Sequence, residues 1–265
     1  MAAMTTGADG KLRGRRALVT AGAQGIGLAI SRGLAAAGCD VFVHYRRSRS
    51  AAEALCAEAD ERGVRAGAIA GDLTKPDDCV AVVEAAIRFL GGLDILVNNA
   101  GTLIGRRSFL EADEAFWTEV MAVNLDSMRR VTHAAVPHLV AAASERGGAA
   151  IVNLSSVAGR QGGGPGAVAY ATAKGAVLTL TRALASELGP KGVRVNAVTP
   201  GLILGSDFHA RHTPEEMQRR IVAGIPLGRA GTPDDVARAV IFLASELDGF
   251  ITGATLDING GVYMA

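Results

Sequence analysis

Tyr170 and Lys174 stand four residues apart in Tyr170-Ala171-Thr172-Ala173-Lys174, a spacing that puts a phenol and an ammonium on one face of a helix. A free tyrosine, with a pKa of about 10, is a poor base near neutrality, but a neighbouring positive charge favours the phenolate and brings proton transfer toward the working range. Such pairs also arise by chance on helix surfaces, where they do nothing. The pair gains weight from Asn153-Leu154-Ser155-Ser156, whose hydroxyls follow a strand-like run and could hold a carbonyl oxygen. Asn124 adds one polar side chain to an otherwise apolar helical stretch.

A second group of residues has the chemistry of a nucleotide site. Thr20-Ala21-Gly22-Ala23-Gln24-Gly25-Ile26-Gly27 follows the first apolar run and opens a helical pattern. Glycines there let backbone approach a pyrophosphate, and a helix N-terminus offers it unpaired N–H groups and a partial positive charge. The expected contacts are Gly22, Gln24, Gly25, Ile26 and Gly27. The second run ends in His44-Tyr45-Arg46-Arg47, with no Asp or Glu where an NAD-selective site places one for the ribose hydroxyls. A guanidinium suits a 2′-phosphate, so Tyr45, Arg46 and Arg47 point to NADP(H). Asp72 and Leu73 follow the third run, and Asn99, Ala100 and Gly101 the fourth, at the strand ends where adenine and ribose would lie. Lys174 could also hydrogen-bond the nicotinamide ribose.

The elements that must position these groups are legible from periodicity. Val/Ile/Leu runs at 17–20, 41–45, 64–70, 94–97, 150–154, 193–198 and 255–258 alternate with helical patterns near 25–38, 50–62, 77–90, 113–143, 168–189 and 233–246. Such βαβα alternation implies an α/β domain, a doubly wound parallel sheet of seven strands with right-handed crossovers. Residues 11–265 form the expected domain and Met1–Gly10 a disordered tail, with Met4 a second conceivable start. The glycine-rich 159–166 stretch and the polar 204–220 stretch break the rhythm after strands, where the loops of such a sheet border the ligand crevice.

Composition narrows the function classes. Twenty-seven Lys and Arg against 26 Asp and Glu give no basic field to gather nucleic acid or anionic membrane. No apolar stretch reaches the roughly 18 residues that span a bilayer. Cys39, Cys56 and Cys79 lack metal or disulfide spacing, so no metal is expected and the thiols read as packing residues in a reducing, cytoplasmic compartment. The alanine-rich helices near 113–143 and 168–189 suit close packing between subunits.

From Ala17 to about Val262 the chain resembles the short-chain dehydrogenase/reductase family. The motifs that carry the resemblance are the glycine loop, Asn98-Asn99-Ala100-Gly101, Tyr170-x-x-x-Lys174 and Asn196-Ala197-Val198-Thr199-Pro200-Gly201, in the family's order. The resemblance implies a Rossmann-type fold, a homotetramer or homodimer, and a catalytic tetrad of Asn124, Ser156, Tyr170 and Lys174. Tyr170 would donate a proton to a carbonyl as hydride arrives, Ser156 would hydrogen-bond its oxygen, Lys174 would lower the tyrosine pKa, and Asn124 would hold a water. Pro200, Gly201 and Ile203 would line the nicotinamide.

The chain departs from the pattern in three places. Ala21 replaces the first glycine of the motif. Ser156 and Tyr170 stand one residue farther apart than in the commonest members, which leaves Ser155 as the alternative hydroxyl. Gly205 occupies a position where many members carry threonine, with Ser206 next to it. The segments around Arg160 and Gly162, and Phe208-His209, resemble reductases of alginate-derived 4-deoxy keto-uronates. A small sugar acid or keto acid is therefore the expected substrate, touching Arg160, Gly162 and His209; Arg106, Arg107 and Arg211 are further rim cations able to pair with a carboxylate. A 3-oxoacyl-[acyl-carrier-protein] reductase is the alternative. A non-catalytic dinucleotide sensor is the reading from another class, opposed by the presence of both Tyr170 and Lys174.

Overall fold

A computed structural model describes residues 12–205, 213–245 and 249–265. Met1–Gly10, Ser206 and the expected substrate residue His209, with Phe208, Arg211 and His212, lie outside the described residues. Seven parallel strands form one sheet in the order β3-β2-β1-β4-β5-β6-β7. They are β1 (Arg16–Val19), β2 (Asp40–Tyr45), β3 (Ala66–Ala70), β4 (Ile95–Asn98), β5 (Ala149–Leu154), β6 (Val193–Pro200) and β7 (Thr255–Ile258). Strand order reverses between β1 and β4, and at such a switch point a crevice opens beyond the carboxyl ends.

The helices are α1 (Gly25–Ala36), α2 (Arg49–Asp60), α3 (Pro76–Leu90), α4 (Glu114–Met121), α5 (Ser127–Arg146), α6 (Ala158–Gln161), α7 (Val168–Leu188), α8 (Glu215–Ala223) and α9 (Pro233–Ser245). Side chains alternate along each strand between two cores, as a period of two requires. Ala17, Val19, Val41, Val43, Ile95 and Val97 pack under α1, α2 and α9. Leu18, Phe42, Leu96 and Ile151 pack under α3, α5 and α7.

Two segments differ from the sequence expectation in a way that matters at the site. The helical pattern at 113–143 is a single amphipathic run in the sequence, but the chain inserts a π-turn at Ala122–Asp126 between α4 and α5, with the Ser127 N–H donating to the Ala122 carbonyl. Such one-turn widenings re-aim the side chains they carry. The polar 204–220 stretch contributes α8, whose Met217 and Ile221 recur at helical spacing and line the crevice.

A buried polar network ties the central strands to the helices behind the site. Asn98 on β4 donates to Thr132 Oγ1 and to Asn153 Oδ1, each at 2.9 Å, and Asn153 on β5 donates to Thr181 Oγ1 at 3.0 Å. These buried side-chain hydrogen bonds tie β4 and β5 to α5 and α7.

Candidate active site

A cavity of about 1090 Å³ opens at the carboxyl ends of β1, β4, β5 and β6. It runs from the turn before α1 past Ser155, Ser156, Tyr170 and Lys174 to α8. Tyr170 and Lys174 both face it from α7, and the Lys174 Nζ lies 5.8 Å from the centroid of the Tyr170 ring. Lys174 is almost fully buried and donates to the Leu154 carbonyl at 2.9 Å.

The structure separates the two serine hydroxyls. Ser155 Oγ is buried and donates to the Lys174 carbonyl at 2.6 Å, so it anchors α7 to the end of β5. Ser156 is half-buried and makes a side-chain hydrogen bond with Tyr170, while its Oγ accepts from the Ala158 N–H at 3.1 Å. Ser156 is therefore the hydroxyl placed beside the phenol.

Asn124 sits in the π-turn with its amide committed to backbone. Its Oδ1 accepts from the Thr102 N–H at 3.0 Å, and its Nδ2 donates to the carbonyls of Thr102 and Val120 at 2.8 and 2.9 Å. It thus braces the chain just after Gly101. A Cβ at Gly101 would lie 2.8 Å from Asn124 Oδ1 and 2.9 Å from Lys174 Nζ, so glycine is needed where these two groups converge.

Burial governs the titration of both groups on α7. It pushes the Tyr170 phenol up to about 12, with the Ser156 hydrogen bond pulling the other way. It brings the Lys174 ammonium down to about 8. Desolvation disfavours each charged form, so it opposes the lowering of the phenol that the lysine's charge favours. A phenol in this state is a protonated donor at neutral pH, suited to delivering a proton to a carbonyl oxygen.

The glycine turn approaches the cavity as a nucleotide cradle. Ala21 has φ of 50°, the left-handed backbone that the glycine of the motif would adopt without strain. A Cβ on Gly27 would collide with the Ala21 carbonyl oxygen, and one on Gly22 would lie 2.8 Å from Val43 and 2.9 Å from Ser31 Oγ. Gln24 precedes α1 in an extended conformation, and α1 has neither a side-chain cap nor an acid in its first turn. Its orphan N–H groups and positive dipole end are available to phosphate oxygens. The Asn99 amide donates to the carbonyls of Thr20 and Ala21 at 2.9 and 3.1 Å, and the N–H groups of Asn99 and Ala100 both donate to Thr20 Oγ1.

Of the expected cofactor contacts, Gln24, Gly25, Ile26, Gly27, Asn99, Gly101, Pro200, Gly201 and Ile203 line the cavity. Tyr45, Arg46, Arg47 and Asp72 stand beyond its lining at the ends of β2 and β3, where Ser48 and Ala51 carry the wall. Arg46 pairs there with Asp72 at 3.1 Å. The Leu73 side chain is buried in the core under α3, leaving only its backbone for a ligand.

The substrate end is arranged differently from the sequence expectation. Arg160 turns away from the cavity to Asp257 on β7, at 3.2 Å, and over the Tyr263 ring. Asp257 also accepts from Thr199 Oγ1, so the carboxylate that captures Arg160 is itself fixed. Gly162 ends α6 with φ of 86°, outside the lining that Gly163 and Gly164 form. The cations that do line the cavity are Lys174, Arg106 and Arg220, and no Asp or Glu is among the described lining residues.

Arg106 is carried by a strained turn. The Gly105 N–H donates to the Leu103 carbonyl at 2.7 Å around Ile104, whose φ is 65°. A three-residue turn with positive φ at a β-branched residue is rare. Leu103 is buried against the cavity on one side of it, and Arg106 on the other donates to the Pro165 carbonyl at 2.9 Å. Nothing in the local sequence signals this turn. Arg220 and Met217 had a signal in the helical spacing of α8.

Known proteins share the sequence pattern and the fold of this chain. A family model described as enoyl-(acyl carrier protein) reductase matches residues 20–263. A 3-oxoacyl-[acyl-carrier-protein] reductase FabG of Staphylococcus aureus is 38% identical over 251 residues, covering 94% of this chain and 98% of the relative. Among solved structures, the NADH-dependent reductase A1-R′ responsible for alginate metabolism superposes with a TM-score of 0.88 at 34% identity, covering 96% of this chain and 99% of the other. A blue fluorescent protein from a metagenomic library, in complex with NADPH, superposes with a TM-score of 0.87 at 36% identity, covering 96% and 100%.

Proposed function

Because the chain belongs to the short-chain dehydrogenase/reductase family and is an oxidoreductase of CH–OH and C=O groups that uses a nicotinamide dinucleotide, we propose that it interconverts a small sugar-acid or keto-acid carbonyl with the secondary alcohol and prefers NADP(H). The observation that carries the reading is the Ser156–Tyr170 hydrogen bond at the wall of a cavity that continues to the glycine turn. A nicotinamide dinucleotide held between the glycine turn and Pro200, Gly201 and Ile203 would supply the hydride in reduction and accept it in oxidation. In reduction Tyr170 gives its proton to the carbonyl oxygen, and Ser156 hydrogen-bonds the same oxygen as charge develops there. Lys174 stands behind the phenol as a cation favouring its conjugate base. Asn124 holds the Thr102 segment against them and keeps one oxygen lone pair for a water linking Lys174 to solvent.

The substrate class rests on charge. Arg106 and Arg220 both line the cavity, and guanidinium groups there can hold an anionic group of the substrate. NADP(H) preference rests on Arg46 and Arg47 and on the absence of an acid at the end of β2. A second reading, 3-oxoacyl-[acyl-carrier-protein] reduction, is favoured by the apolar Leu103, Met217 and Ile221 along the wall. We place the enzyme in the cytoplasm as a homotetramer or homodimer. Free Cys39, Cys56 and Cys79 fit a reducing compartment, and exposed Phe109, Leu110 and Phe250 offer apolar surface for a second copy.

The test is NADPH oxidation by the wild type and Tyr170→Phe with sugar acids, keto acids and acyl thioesters. Turnover of the acids, falling about 10²- to 10⁴-fold in the variant, is the expected result. Equal rates in the two proteins refute the proton donor, and turnover confined to carrier-protein thioesters replaces the substrate class.

A further inference from the structure

His44 is buried near the carboxyl end of β2, one strand in from the sheet edge, and nothing in the proton-transfer chemistry uses it. Its Nδ1 accepts a hydrogen bond from the Ala21 N–H at 3.1 Å, and its own carbonyl accepts from the Gly22 N–H at 2.9 Å. Because Nδ1 accepts, the ring proton belongs on Nε2, which donates to the Gly71 carbonyl at 3.1 Å. Burial favours this neutral ring.

Ala21 is where the nucleotide turn is under strain. Its φ of 50° is disfavoured for a residue with a Cβ. The peptide on one side is gripped by His44 at N–H, and the carbonyl on the other by the Asn99 amide at 3.1 Å. Ala21 itself lines the cavity, next to the uncapped start of α1.

We propose that His44 is a positioning residue for the dinucleotide: its Nδ1 holds Ala21 in the left-handed conformation that aims the pyrophosphate-facing turn. Gly71 immediately precedes Asp72, the partner of Arg46. The same ring therefore joins the turn facing the phosphates to the strand end facing the adenosine.

Two polar substitutions split the ring's bonds. His44→Asn puts an acceptor where Nδ1 lies and gives up the reach to Gly71, whereas His44→Gln keeps the reach and gives up the acceptor. Dissociation constants for NADPH and NADH, titrated by fluorescence with no carbonyl substrate present, read the difference without depending on what the enzyme reduces. The Asn variant is expected within about threefold of wild type, and the Gln variant about tenfold weaker for both nucleotides, as loss of one aligned hydrogen bond implies. Adding Ala21→Gly, which accepts the left-handed backbone unaided, is expected to recover most of the Gln deficit. Equal affinities for the Gln variant and wild type, equal losses in the two variants, or no recovery on adding Ala21→Gly would each overturn the proposal.

Discussion

The Arg46 guanidinium lies 3.1 Å from a carboxylate oxygen of Asp72, joining the ends of β2 and β3 just outside the cavity. Asp72 is held ionised below the usual carboxylate range by hydrogen bonds from Thr74, with Arg46 adding to the effect. Arg46 remains more than half exposed, so the pair contributes little stability and orients the guanidinium without consuming it. A 2′-phosphate reaching this corner would meet a cation already in place.

Arg46→Asp is therefore expected to lower the ratio of kcat/KM with NADPH to that with NADH by about tenfold or more, since a charge-assisted hydrogen bond is replaced by like-charge repulsion. Steady-state kinetics with both nucleotides measure it. An unchanged ratio would show that Arg46 does not read the phosphate.

Lys174 gives a pH signature. Its pKa falls from 10.5 to about 8 on burial, so below pH 8 the folded chain bears the full cost of the buried charge. Between about 8 and 10.5 the unfolded chain binds more protons than the folded one, and stability rises with pH. Tyr170, raised from 10 to about 12, acts in the opposite sense above pH 10. Relative to Lys174→Met, the wild type is expected to gain about 2 kcal/mol between pH 8 and pH 10, at 1.36 kcal/mol per unit. Urea unfolding at both pH values tests this, and parallel profiles for the two proteins would contradict it.

Ile104 trades backbone strain for placement of the substrate wall. Ile104→Gly relieves the positive φ but frees the turn carrying Leu103 and Arg106. Relief of strain is expected to offset only part of the loss of the Ile104 side chain from the Phe116 and Val120 cluster, for a net cost of about 1–2 kcal/mol, while KM for the carbonyl substrate rises and cofactor affinity holds. A variant with wild-type KM would show that the turn has no part in substrate binding.

Asp94, at the entrance to β4, is fully buried and receives Arg16 at 2.8 Å, Arg146 at 3.2 Å and Arg15 at 3.6 Å. Asp94→Asn leaves those cations facing a neutral group and is expected to cost about 3–5 kcal/mol in urea unfolding. Cofactor affinity of the folded fraction should persist, because the cluster sits at the opposite ends of β1 and β4 from the cavity.

The sequence by itself determined the seven strands, their alternation with helices, the glycine turn and the facing of Tyr170 and Lys174. Each follows from spacing along the chain, which covalent geometry converts directly into a face of a helix or a strand. Tertiary structure decided the partners. Arg160 meets Asp257 across 97 residues, Ser155 turns inward to α7 while Ser156 reaches the phenol, and His44 finds Ala21 from the neighbouring strand. A short polar side chain can satisfy itself on many partners, and only the packed register of strands and helices brings one of them within hydrogen-bond reach.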